Sequence, residues 1–139
     1  VNIVGLSGRR AIKEFQDHHL PELKQKIDQT AGFEVALEVE WETIAIADQT
    51  QIYNECWTQI YFSPLIAAFT SICQDELGRT ALKSALKQVV IQNTGGIYYG
   101  DRWATFNDGV LILDHEPTTN AADIEERTQG LIKVLEKSL

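Results

Sequence analysis

The sequence predicts a single α+β domain over residues 1–139, in the order α-β-ααα-βββ-α, with a roughly four-stranded antiparallel sheet packed against helices. Three observations lead there. Phe33 to Ile46 alternates apolar and acidic residues, the period-two pattern of a half-buried strand. Residues 49–87 carry apolar stripes at helical spacing. Residues 88–115 turn to short β-branched runs separated by glycine. Runs of helices followed by runs of strands, without strict alternation, are the pattern of α+β chains with antiparallel sheets.

Residues 1–6 read as a short extended lead. Ser7 is placed to cap a helix reaching about Gln29, with Ile12, Phe15, Leu20, Leu23 and Ile27 on one stripe. Pro21 must kink or break that helix, with His18-His19-Leu20 as the joint. Gly32 suits the position just past its end.

In the strand that follows, Phe33, Val35, Leu37, Val39 and Trp41 fall on one face and Glu34, Glu38, Glu40 and Glu42 on the other. The pattern slips near Thr43, where Ile44 and Ile46 take the parity of the glutamates. Either a bulge flips the faces there or the strand ends and enters the core.

Asp48 is expected to cap a helix over about 49–61, with Ile52, Tyr53, Cys56, Trp57, Ile60 and Tyr61 inward. Ser63-Pro64 should restart the chain as a second helix, and a third is expected over about 78–87. Gln88 to Thr94 reads as a strand. Arg102 to Phe106 and Val110 to His115, joined by Asn107-Asp108-Gly109, read as a hairpin. Asn120 is expected to cap a last helix over about 121–137, and Gly130 within it implies close packing against the sheet.

Composition narrows the function classes. Apolar content of 44% and charged content of 23% are those of an ordinary globular chain. No apolar run reaches the roughly 20 residues of a membrane helix, so no membrane association is expected. VNIVGLSGRR meets its basic residues too early for a secretory signal, and the expected location is cytoplasmic. The chain has no methionine; Val1 is small enough to follow a removed initiator, and a trimmed chain would read the same. Cys56 and Cys73, on helical patterns, read as reduced core thiols.

The formal charge is −8, and no Lys or Arg occurs from Ile27 to Gly78. Phosphate would be repelled by that half, so no nucleic acid is expected, and a basic protein is the easier partner. Glu38, Glu40 and Glu42 are the binding residues expected for it. The plainer reading of the same face is a solvated sheet edge whose charges discourage edge-to-edge pairing. Self-association as a homodimer through that edge is a further form. Carboxylates two residues apart on a strand lie roughly 7 Å from one another, too far for one metal to gather several, so neither metal nor other cofactor is expected.

Two other readings compete. A metal-dependent hydrolase would use His18 or His19 with Asp114, His115 or Glu116, residue types that suit zinc or iron. A small-ligand binder would use a cavity between the sheet and the middle helices, lined by Trp41, Trp57 and Tyr61. Gly5-Leu6-Ser7-Gly8-Arg9-Arg10 lacks the Gly-Lys-Ser/Thr ending of a phosphate loop and reads as an ordinary helix start. No nucleophile motif occurs, which leaves a non-catalytic protein-binding module, an inhibitor or immunity-type protein, as the expected function. Tyr98, Tyr99, Trp103 and Phe106 surround two glycine turns and fill the core or form a binding surface.

Overall fold

The structure, a computed structural model, describes residues 5–45 and 53–139. The N-terminal helical region is two helices, α1 (Leu6–His18) and α2 (Leu20–Ala31), broken at His19 one residue before the first turn of α2, which holds Pro21. Gly5, not Ser7, occupies the cap position of α1, and Ser7 lies inside the helix. Gly32 ends α2 in the left-handed conformation, φ 85°.

The strand expected from Phe33 is shorter than its pattern. Alternating burial persists from Phe33 to Trp41, but pairing is confined to β1 (Leu37–Val39). The chain then enters a single helical turn, α3 (Trp41–Ile44). Thr43 closes that turn, its N–H and hydroxyl both donating to the Glu40 carbonyl at 3.0 and 2.7 Å. The phase slip at Thr43 is therefore the end of the strand, and the helical turn carries Ile44 into the core. The expected cap Asp48 and residues Ile46 and Ile52 lie outside the described residues.

Two expected middle helices are joined without a break. α4 (Tyr53–Trp57) passes through a π-helical segment (Thr58–Phe62) into α5 (Ser63–Ile72), and Phe62 and Ser63 keep helical backbone angles. Proline in a helix interior removes a hydrogen bond and crowds the carbonyl four residues back. Widening the turn before Pro64 relieves this: the Ser63 N–H reaches the Thr58 carbonyl, five residues back. α6 (Glu76–Ala85) follows, capped by Asp75, whose carboxylate accepts from the Gly78 N–H at 2.8 Å.

The sheet holds β1, β2 (Gln88–Gln92), β3 (Ala104–Asn107) and β4 (Val110–Asp114) in the order β1-β2-β4-β3. It is mixed, not antiparallel as expected: β1 with β2 and β2 with β4 are parallel, and only β3 with β4 is antiparallel. The helical layer between β1 and β2 is long enough for a parallel crossover. The 93–103 connection carries the chain to the far edge, so the β3–β4 hairpin returns β4 alongside β2. The hairpin forms as its sequence requires, with Asp108 and Gly109 at φ 53° and 82°, the left-handed pair of a two-residue turn.

Val89, Ile91, Leu111 and Leu113 on one sheet face join Phe15, Trp57, Phe62, Phe69 and Leu82 from the helices in one core. The last helix, α7 (Ile124–Ser138), starts later than its pattern, because Asn120 takes a positive φ of 57° and the 120–123 segment turns before entering it. Gly130 packs closely, but against the turn before β3 and not against the sheet as expected: a Cβ there would lie 1.9 Å from the Gly100 carbonyl oxygen. Gly130→Ala, which would add about 1 kcal/mol of stability to an open helix, is expected instead to cost about 2 kcal/mol by overpacking, measured by urea unfolding.

Candidate functional site

Glu38 projects from β1, an edge strand, and is exposed. Glu40 follows directly; its N–H donates to the Ile91 carbonyl at 2.8 Å and its side chain is exposed. Glu42 sits on α3, so the third carboxylate leaves the strand's alternation but stays exposed. Among the described residues no salt bridge reaches any of the three. The nearby Asp28 is committed elsewhere: it pairs with Lys24 at 2.7 Å and accepts from the Val35 N–H at 2.9 Å. Glu38, Glu40 and Glu42 therefore form an unneutralised acidic rim at one edge of the sheet.

The histidines do not gather. His18 is exposed at the end of α1, 3.6 Å from Glu14. His19 packs its ring 5.7 Å from that of Phe15. Asp114 serves the loop after β2, accepting from the Thr94 N–H and hydroxyl at 2.9 and 2.5 Å and from Gln92 at 3.1 Å. Among the described residues no group of three or more His, Cys, Asp or Glu is placed to hold a metal ion. The Trp41–Trp57 region is filled by packed rings: Phe15 lies 5.9 Å from Trp41 and 5.1 Å from Trp57, and Tyr53 stacks on Trp57 at 4.4 Å. A cleft of about 330 Å³ lies elsewhere, between α5, α6 and the end of α7, lined by Ile72, Leu77 and Leu139 with Asp75 and Glu136. Cys56 and Cys73 are free thiols; burial raises the pKa of each, assisted at Cys56 by Glu55 and Glu116. The aromatic group divides: Trp103 is fully buried, while Tyr98 and Tyr99 are 45% and 48% exposed with their rings 4.3 Å apart.

A buried polar group stands at the end of β4. Arg127 is 1% exposed, and its guanidinium donates to three backbone carbonyls: Asn120 at 2.7 Å, Ala121 at 2.7 Å and Gln59 at 3.2 Å. The Gln59 carbonyl lacks a helical donor because Ser63 bonds to Thr58 and Pro64 has no N–H. Arg127 supplies that donor. Its own carbonyl accepts from the Trp103 indole at 3.0 Å. Burial lowers the Arg127 pKa, opposed by Asp123 and Glu126.

His115 is fully buried beside this group, and the Tyr61 hydroxyl donates to its carbonyl at 2.5 Å. Burial raises the Tyr61 pKa well above the phenol's ordinary value, with Glu116 and Asp114 adding to it. The His115 Nδ1 lies 2.6 Å from the Glu116 carbonyl oxygen, which only accepts, so Nδ1 carries the proton and Nε2 of the neutral ring is a bare acceptor. Among the described residues Nε2 has no partner.

The sequence alone does not distinguish Arg127 as a buried polar group. A signal existed for Arg127: it falls on the stripe of Ile124, Leu131 and Leu135, where a charged residue points inward. Comparison of the chain with protein-family models, with curated proteins and with solved structures gives no match.

Burial lowers the His115 pKa, outweighing the hydrogen bond to Glu116. The unfolded chain then takes up a proton near pH 6.5 that the folded protein refuses, so stability falls as pH drops through that value toward the folded pKa. Urea midpoints should decline from about pH 7.5 to about 5.5, and His115→Gln should flatten the decline. An equal slope in the variant would assign it to other groups.

Proposed function

We propose that this protein is a non-catalytic binding module of the cytoplasm that contacts a protein with a basic surface, in the manner of an inhibitor or immunity-type protein. The observation that carries the reading is the exposure of Glu38, Glu40 and Glu42 together, without counter-ions among the described residues, in a stretch from Ile27 to Gly78 that has no Lys or Arg. Uncompensated surface carboxylates of this kind set up a one-signed field that speeds encounter with a basic patch and disfavours acidic competitors. The two free thiols suit a reducing compartment.

Self-association through the β1 edge is the weaker form of the same idea. A second copy paired there would bring its own glutamates against Glu38 and Glu40, and like charges across paired strands are destabilising.

Replacing Glu38, Glu40 and Glu42 together with lysine is expected to remove the basic proteins captured by the immobilised wild-type chain, read by quantitative mass spectrometry. The capture should also weaken between about 0.1 M and about 1 M salt, as the screening length shortens from about 10 to about 3 Å. Capture of the same proteins in equal amounts by the lysine variant would leave the carboxylates with a solubilising role alone.

A further inference from the structure

The sheet has a second face, and among the described residues no helix covers it. Its register is set by the pairing: Glu38 stands beside Val90, Val90 beside Ile112, and Ile112 beside Thr105. The next row places Gln88 beside Val110 and Val110 beside Asn107. Glu38, Thr105 and Asn107 are exposed, and Val90, Val110 and Ile112 are half-buried. These three aliphatic residues belong neither to the buried core nor to the partly buried residues packed on it, whereas their strand neighbours Val89, Ile91, Leu111 and Leu113 are all in the core. The outer face therefore shows three adjacent β-branched side chains.

Sheets built from parallel strands are normally covered by helices on both faces. Here β1, β2 and β4 are parallel, and their helices lie on one side. Among the described residues the outer face lacks the layer that such strands usually receive. Its rim is acidic, with Glu38 in the central row and Glu40 directly after β1, and none of the residues paired across its two rows is Lys or Arg.

We infer that the outer face of the sheet is the docking surface for a basic amphipathic helix of the partner protein. The inference rests on the proposed recognition of a basic partner and adds where and how it sits. The helix lays its apolar side on Val90, Val110 and Ile112 and its Lys or Arg residues against Glu38 and Glu40, completing a helix–sheet–helix sandwich. Charge selects this occupant over a second copy of the chain, whose net charge of −8 would set acidic rim against acidic rim.

The test uses the full chain and a synthetic Leu/Lys peptide of about five helical turns, with leucines on one face, beside a scrambled peptide of the same composition. Methyl chemical shifts of the wild-type protein should move at Val90, Val110 and Ile112 with the amphipathic peptide and not with the scrambled one. Val90→Ser with Ile112→Ser should weaken binding at least about tenfold, measured at a temperature where circular dichroism shows the variant fully folded. Shifts confined to other surfaces, or equal binding of the scrambled peptide, would overturn the inference. If charge reversal at Glu38, Glu40 and Glu42 abolishes binding while the serine variant binds normally, the acidic recognition stands and the sheet-face docking fails. If neither change matters, both fail. A wild-type dimer in sedimentation that Ile112→Ser converts to monomer would assign the face to self-association instead.

Discussion

The guanidinium of Arg127 ties together the parts of the chain that sequence proximity does not. It spans the π-helical segment before Pro64 and the turn at Asn120-Ala121, while the Arg127 carbonyl receives the Trp103 indole. Among its carbonyl partners, Gln59 lacks a regular helical donor because of the widened turn and the missing N–H of Pro64, whereas the Asn120 carbonyl also accepts from the Asp123 N–H at 3.0 Å. A carbonyl left unpaired away from water costs about 1–3 kcal/mol, and the Arg127 side chain supplies the donor that the widened turn denies to Gln59. The same residue seats α7 on the loop before β3, where Gly130 and Gly100 meet, and so fixes the helix that covers the inner face of the hairpin.

Much of the fold could be read from residues. The alternation from Phe33 to Trp41 gave the correct faces, because burial period alone sets them. Asp108-Gly109 gave the hairpin, because two left-handed residues admit few other structures. Pro21 and Gly32 marked the bounds of α2. The strand direction was not legible. Parallel pairing depends on where the 93–103 connection crosses, and nothing in the residues of β2 or β4 distinguishes the two directions. Nor was the continuity through Ser63-Pro64: both residues suit a helix start, and only the π register shows that the helix continues through them.

The acidic rim was legible as exposed carboxylates, since alternation with apolar neighbours forces Glu38 and Glu40 outward. Its setting was not. That Val90, Val110 and Ile112 lie next to it on the outer face of the sheet follows from the register between strands distant in sequence. Asp114, His115 and Glu116 are adjacent in sequence yet serve different ends: Asp114 pins the loop after β2, His115 is locked into one tautomer in the core, and Glu116 accepts from Thr118 at 2.9 Å. Adjacent residues at a strand end face different surroundings, so chemistry inferred from their types alone does not transfer to their positions.

The dependence on Arg127 is open to a direct measurement. Equilibrium urea unfolding of Arg127→Leu, compared with the wild-type chain, should show a loss of about 1–3 kcal/mol, the cost of leaving the Gln59 carbonyl without its donor. Arg127→Lys, with one ammonium in place of a planar fork, should recover only part of it. A change within about 0.5 kcal/mol, the range of ordinary surface substitutions, would contradict the role given to this side chain.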